Sequence, residues 1–247
     1  MNVCKFYAAG NSEALNYALN YIKECGHSVT ADASEATHLI LPVPSFDTNG
    51  SLKGGQSLIP ILNMLPKDIV IFGGNLNRTE LKQYQCVDFL NDAFYLAENA
   101  NITAHCAIKL AMEKLPVTLA GCKVLVIGYG RIGKCLAHLL RQLGADVTIC
   151  ARKEADRASA ISLGYRAIDI KDLDISPYRV VYNTAPAPIK TRCPSSALKI
   201  DLASSLGLSD PDVIWARGLP NKDAPESSGR LIAETAIRIA VRKENQL

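Results

Sequence analysis

The chain has 247 residues, 48% hydrophobic and 21% charged, enough apolar material for one large core or two smaller ones. Its net charge of +3 comes from Lys and Arg scattered in singles and pairs, so no basic face for nucleic acid or an anionic membrane is implied. No apolar run approaches the roughly 20 residues that span a bilayer, and the opening MNVCKFYAAGNSEAL lacks a basic region followed by a long apolar core. A cytoplasmic location is therefore expected.

In chain order, residues 3–9 read as a strand ending at Gly10-Asn11. A helix from 12 to 24 follows, with Leu15, Leu19 and Ile22 on one face and Ser12 as N-cap. Residues 27–30 form a short second strand and 38–41 a third, stopped by Pro42 and Pro44. Residues 45–57, rich in Gly, Ser and Asn, predict an exposed, mobile loop. Another buried strand spans 69–72, broken by Gly73-Gly74. From Asn101 onward the pattern is helical until Pro116, and this stretch joins two β-α-β regions. The second region is clearer: strand 123–127, helix 131–143 and strand 146–150, with later strands at 180–183, 199–201 and 213–215. A closing helix from 227 to 242 sets Leu231, Ile232, Thr235, Ala236 and Ile239 on one face. The eight cysteines (Cys4, Cys25, Cys86, Cys106, Cys122, Cys135, Cys150 and Cys193) include no CxxC pair and read as structural thiols, so no metal site is expected.

The chemistry concentrates at Lys123-Val-Leu-Val-Ile-Gly128-Tyr-Gly130-Arg131-Ile132-Gly133. GxGxxG alone is a weak signal. Here it directly follows an apolar strand and opens a helix whose apolar face carries Leu136, Leu139, Leu140 and Leu143. Gly128 makes the tight turn, Gly130 lets backbone approach a pyrophosphate and Gly133 permits close helix–strand packing, while the helix N-terminus offers free N–H groups. A Rossmann-type dinucleotide-binding domain over 117–227 follows. The end of the next strand bears on the cofactor. NAD-selective sites carry an acid there, but this chain has Ala151 followed by Arg152 and Lys153, cations suited to a 2′-phosphate. The expected cofactor is NADP. Two further segments end strands on the ligand side. Asn183-Thr184-Ala185-Pro186 meets the nicotinamide ribose or forms a plain turn, and Asp201 either contacts the cofactor or caps a helix.

Taken together, Leu41-Pro-Val, Ile71-Phe-Gly-Gly, the 128–133 glycine motif, Asn183-Thr-Ala-Pro186, Asp201-Leu-Ala-Ser204, Gly218-Leu-Pro220 and Ala224-Pro-Glu-Ser-Ser-Gly229 resemble the dehydrogenase-like component of dipicolinate synthase, a family of endospore-forming bacteria. The resemblance is good from about residue 93 to the end. It implies a 2-hydroxyacid-dehydrogenase-like architecture, α/β throughout: a Rossmann-type doubly wound parallel sheet beside a smaller flavodoxin-like domain, with the active site in the cleft. The smaller domain would comprise residues 1–92 completed by the C-terminal helix 228–247, and 93–116 would be the interdomain helix. The implied reaction is oxidation of a dihydrodipicolinate-type intermediate to pyridine-2,6-dicarboxylate, and the implied partner is a second, flavoprotein-like subunit. Homo-oligomerisation is also expected. The chain departs from the family in a shortened N-terminal region and in Ala8-Ala-Gly-Asn-Ser-Glu13, where the family carries Gly-Gly-Asp followed by basic and amide residues.

A dicarboxylate substrate needs cations or hydrogen-bond donors at both ends. Thr103, a position where the family also has Thr, is expected to receive one carboxylate together with free amides at the start of the interdomain helix. His105 is a candidate general base or an exposed helical histidine. Arg217 or Lys222, after the 213–215 strand, would bind the second carboxylate. Ser227 and Ser228 read as caps of the last helix. Two alternatives remain: another NAD(P)-dependent dehydrogenase on the same architecture, and a nucleotide-binding scaffold whose catalytic half has decayed. A hydroxyacid dehydrogenase is disfavoured because no histidine follows His138.

Overall fold

The computed structural model describes residues 4–189 and 196–244, with side chains to Val241. Val3, where the first strand was expected to begin, and Cys193 lie outside the described residues. The chain divides into two compact units, Met1–Asn99 with Pro220–Leu247, and Ala100–Leu219.

The first unit is built on β1 (Lys5–Ala8), α1 (Glu13–Glu24), β2 (Ser28–Val29), β3 (His38–Ile40), α2 (Leu58–Leu62), β4 (Val70–Gly73) and β5 (Gln85–Asp88). All its strands pair in parallel, in the order β2-β1-β3-β4-β5. That is the flavodoxin-like order. Ser12 caps α1 as its position suggests, its hydroxyl accepting from the Leu15 amide at 3.1 Å. The helix buries Ala14, Leu15, Ala18 and Ile22. Rings stack in a row across this unit: Phe6 on His38, His38 on Phe72, Phe72 on Phe89 and Phe89 on Tyr95, with centroids 5.0–5.6 Å apart. His38 thus belongs to the packing.

Two expectations change here. The loop 45–57 is not exposed throughout, because Ser45 and Leu52 are fully buried and Phe46 bridges to Leu52. The Ser45 hydroxyl donates to the Pro42 carbonyl at 2.8 Å and accepts from the Gly74 amide at 3.0 Å, which ties the loop to the end of β4. Gln85–Asp88 forms an edge strand that the sequence pattern did not reveal.

The long helix α3 (Ala93–Lys114) begins where the resemblance puts the interdomain helix, and eight residues before the Asn101 start read from the residue pattern. Asp92 starts it: its Oδ1 accepts from the Tyr95 amide at 2.8 Å and from the Arg238 guanidinium at 2.7 Å. A carboxylate at a helix N-terminus satisfies an orphan amide and meets the positive end of the dipole.

The second unit contains β6 (Lys123–Ile127), α4 (Arg131–Gln142), β7 (Asp146–Cys150), α5 (Glu154–Ser162), β8 (Arg166–Ile168), β9 (Val180–Asn183), β10 (Leu198–Asp201) and β11 (Ile214–Trp215). Its six parallel strands run β11-β10-β9-β6-β7-β8. Counted from β6 this is the 3-2-1-4-5-6 order of doubly wound dinucleotide-binding sheets. Val124, Leu125, Val126 and Ile127 are buried, as a strand covered on both faces requires.

The chain returns to the first unit through α6 (Leu219–Asp223) and α7 (Pro225–Glu244). Leu231, Ile232, Thr235 and Ala236 of α7 are buried and Ile239 half-buried, the face read from the pattern. Where α7 crosses α1, Gly229 lies so close that a Cβ would collide with the Ala14 carbonyl and the Tyr17 side chain. Ser227 and Ser228 do not cap this helix. It begins at Pro225, so both fall within its first turn, and Ser228 is buried.

Candidate nucleotide-binding site

Three turns at the carboxyl ends of β6, β7 and β9 enclose a pocket of about 690 Å3. The first is Gly128-Tyr129-Gly130. Gly128 has φ of 95°, a region that disfavours a side chain, and a Cβ there would press on the Thr184 hydroxyl. A Cβ on Gly133 would collide with the Gly128 carbonyl oxygen, so α4 can approach β6 this closely only with glycine. Above Gly130 nothing lies within 4 Å of where a Cβ would stand. Open space therefore faces the first turn of α4, whose amides have no intrahelical partner. A diphosphate fits that cradle. Exposed Arg131 and half-buried Ile132 begin α4 outside the pocket wall, so what they offer a pyrophosphate is backbone. Tyr129 is buried, and burial pushes its hydroxyl pKa upward.

The second turn follows β7. Ala151, buried, occupies the strand-end position where an acid would sit in an NAD-selective site, and Arg152 and Lys153 next to it are exposed and line the pocket. Beneath them Cys150 is fully buried. Burial, then the neighbouring Asp169 carboxylate, push its thiol up to about 12, which makes it an unreactive wall residue. Asp156, in the first turn of α5, also lines the pocket. Arg157 spans the turn from behind, donating to the carbonyls of Ala151 and Arg152 at 2.8 Å each and pairing with Asp169 at 2.7 Å. Neither Asp156 nor Arg157 was singled out in the sequence. The available signal was their place one helical turn beyond the cationic pair.

The third turn follows β9, and here the side chains serve the scaffold. Asn183 is fully buried; its Oδ1 accepts from the Ala185 amide at 3.0 Å and its Nδ2 donates to Asp201 at 2.9 Å. The Thr184 hydroxyl donates to the Ile127 carbonyl at 3.0 Å. What this turn presents to the pocket is the stretch Thr184-Ala185-Pro186, while the Asn183 side chain is turned inward. Asp201 corrects the expectation further. It is fully buried and absent from the pocket wall, its carboxylate accepting from the amides of Ala203, Gly207 and Leu208 at 2.8–3.0 Å as well as from Asn183. Its acceptor capacity goes to folding the loop after β10 and to holding Asn183 at the end of β9.

The residues expected to handle substrate belong to separate elements. Since α3 begins at Ala93, residues 99–105 are helix interior and their amides are not free to receive a carboxylate. Thr103 is buried there and His105 is exposed. Arg217 lies past the carboxyl end of β11, exposed, with its guanidinium 5.1 Å over the Trp215 ring. Lys222 lies in α6 rather than in a loop. Of these, Thr103, His105 and Arg217 share the pocket's unit and do not line its wall.

Comparison with known proteins agrees with this geometry. The chain has the fold of a dipicolinate synthase component from Bacillus halodurans, with TM-score 0.82 and 21% identity over 96% of this chain and 97% of that one. For the corresponding dipicolinate synthase chain of Bacillus subtilis the values are 0.82 and 20%, over 100% and 99%. Both alignments run through nearly the whole of the other chain, so the expected N-terminal shortening is not seen against either. A transhydrogenase from Sinorhizobium meliloti is more distant, with TM-score 0.72 and 16% identity over 96% of this chain and 93% of that one. Residues 92–196, which contain all three turns of the pocket, match the NAD binding domain of the D-isomer specific 2-hydroxyacid dehydrogenases, and this match supports a nicotinamide-dependent oxidoreductase.

Proposed function

We propose that the protein is an NADP-dependent oxidoreductase of the dipicolinate synthase type, oxidising a dihydrodipicolinate-type ring to pyridine-2,6-dicarboxylate. One observation carries the cofactor half: the strand-end position beside the pocket holds Ala151 with Arg152 and Lys153 at its flank. An acid there would repel a 2′-phosphate, whereas a guanidinium pairs with it in a fork. When bound, the nicotinamide supplies a hydride acceptor. The chain's own residues cradle its diphosphate at Gly128–Gly133, hold the adenosine end beside Arg152 and keep the Thr184–Pro186 turn facing the pocket. The substrate half rests on the fold likeness and on the ordered motifs of the sequence. Arg217 and Lys222 remain the candidate carboxylate partners. Self-association and a flavoprotein-like second subunit belong to the same proposal.

The test of the cofactor half is Arg152→Ala, titrated with NADPH and with NADH. The expected result is a loss of about 1–3 kcal/mol for NADPH alone, the range of a charge-assisted hydrogen bond. Equal loss for both, or none, rejects the phosphate role. A second reading, binding without catalysis, is favoured by one observation: the altered turn after β1 is closed by the chain itself, the Gly10 amide donating to Gln56 Oε1 and the Asn11 amide to the Lys53 carbonyl. Bound NADPH with no turnover of the dihydro substrate by NADP would select it.

A further inference from the structure

We propose that Arg157 is a positioning residue for nucleotide choice: it fixes the orientation of the Arg152 turn and masks the Asp169 carboxylate, which would otherwise oppose a phosphate bound there. This rests on the NADP reading above and adds the device behind it.

Arg157 lies in the first turn of α5, and its Nη1 reaches three acceptors: the carbonyl oxygens of Ala151 and Arg152 at 2.8 Å each, and Asp169 Oδ2 at 2.7 Å. Successive carbonyls of extended backbone point to opposite sides, so both oxygens meet one guanidinium nitrogen only because the chain turns after β7. The guanidinium bridges both, which sets the two peptide planes flanking Arg152 and so the direction in which its side chain leaves the backbone. Arg152 itself makes no ion pair among the described residues and lines the pocket, so its charge is available to a ligand.

The ion pair does separate work. Asp169 directly follows β8 and caps the turn after it, Oδ1 accepting from the Lys171 amide at 3.0 Å; Arg157 holds the other oxygen. The two side chains are only 21% and 23% exposed, so solvent screens them incompletely. Both charges reach the pocket wall: at the Cys150 thiol, after burial itself, Asp169 raises the pKa and Arg157 lowers it. Remove Arg157 and a phosphate loses twice, through a looser Arg152 and through an unmasked carboxylate next to pocket-lining Ile170. A ribose hydroxyl, being neutral, is spared the second loss and has little stake in the first.

The experiment titrates NADPH and NADH, followed by nicotinamide fluorescence, into the wild type, Arg152→Ala, Arg157→Leu and Arg157→Leu/Asp169→Asn, with urea midpoints recorded for each. Arg157→Leu is expected to weaken NADPH about tenfold more than NADH, as for charges interacting near a protein surface. The added Asp169→Asn is expected to recover about half of that selectivity on a logarithmic scale. A purely structural role would weaken both nucleotides alike and show no such recovery; either result overturns the proposal. Arg152→Ala reports on the underlying reading alone. Selective loss there beside an unselective Arg157→Leu removes the positioning role and keeps NADP, whereas an unselective Arg152→Ala removes both. Should Arg157→Leu fail to fold, Arg157→Lys is read the same way, with a selective loss of about threefold expected and an unchanged ratio overturning the proposal.

Discussion

The two sheets offer the same topological address and use it differently. In each, the strand order reverses beside the first strand, β1 in one unit and β6 in the other, and that strand runs into a glycine turn before a helix. Over Gly130 the space is open. Over Gly10 the chain has filled it: the Gly10 amide donates to Gln56 Oε1 at 2.7 Å and the Asn11 amide to the Lys53 carbonyl at 2.9 Å. A Cβ on Gly10 would stand 2.8 Å from both the Lys53 carbonyl oxygen and the Pro42 ring. A crevice at a switch point is thus an opportunity that topology provides, and the local loop decides whether a ligand can take it.

The contrast is tested most severely at Asp201. If this buried acid organises the loop after β10, Asp201→Ala leaves the amides of Ala203, Gly207 and Leu208 and the Asn183 carboxamide without their acceptor. The expected cost is about 3 kcal/mol or more in urea unfolding. A variant that keeps wild-type stability while losing NADPH would return Asp201 to the role of ligand. Next in size, paired glycine substitutions sharpen the contrast between the turns. Gly133→Ala and Gly10→Ala each force a side chain against a carbonyl oxygen, so each is expected to cost about 2 kcal/mol. Only Gly133→Ala should also weaken NADPH, because only that turn faces the open cradle. Equal effects of the two on nucleotide affinity would erase the distinction between an open and a filled crevice.

What could be read in the sequence follows the same division. The Gly128–Gly133 motif was legible because strand, turn and helix stand in unbroken succession; Gly128 and Gly133 answer steric demands of the chain, and Gly130 leaves the cradle open. Both sheet types followed from the alternation of elements and from the family resemblance. The misreadings have a common cause: a polar residue at a strand end looks the same whether it faces a ligand or its own chain. Asn183 and Asp201 looked like site residues and turned out to be internal ligands of the loops. The residue pattern alone missed the start of α3, which the resemblance put at residue 93, because Phe94 is 70% exposed beside buried Tyr95, which blurs the apolar face of the first turn. Gln85–Asp88 escaped because an edge strand with Gln and Asp at its ends lacks a buried alternation. Arg157 escaped because its importance lies in two backbone carbonyls, and no residue pattern records those.

The smallest effect is expected at Asp92, and it tests where α3 begins. Burial alone would raise this carboxyl, but the Tyr95 amide and the Arg238 guanidinium outweigh it and hold the group below the usual aspartate range. A carboxyl depressed on folding contributes stability above its unfolded value of about 3.9, and the contribution is lost as pH falls through the lower folded value. Wild type should therefore exceed Asp92→Asn by about 1 kcal/mol at pH 7. The two stability curves should draw together below about pH 4 and meet once the wild-type carboxyl is protonated. NADPH affinity at pH 7 should not differ between them, since Asp92 belongs to the unit whose crevice is already filled. A gap that stays constant with pH would mean that Asp92 is not held charged at the head of the helix, and the helix would then have to be started by something else.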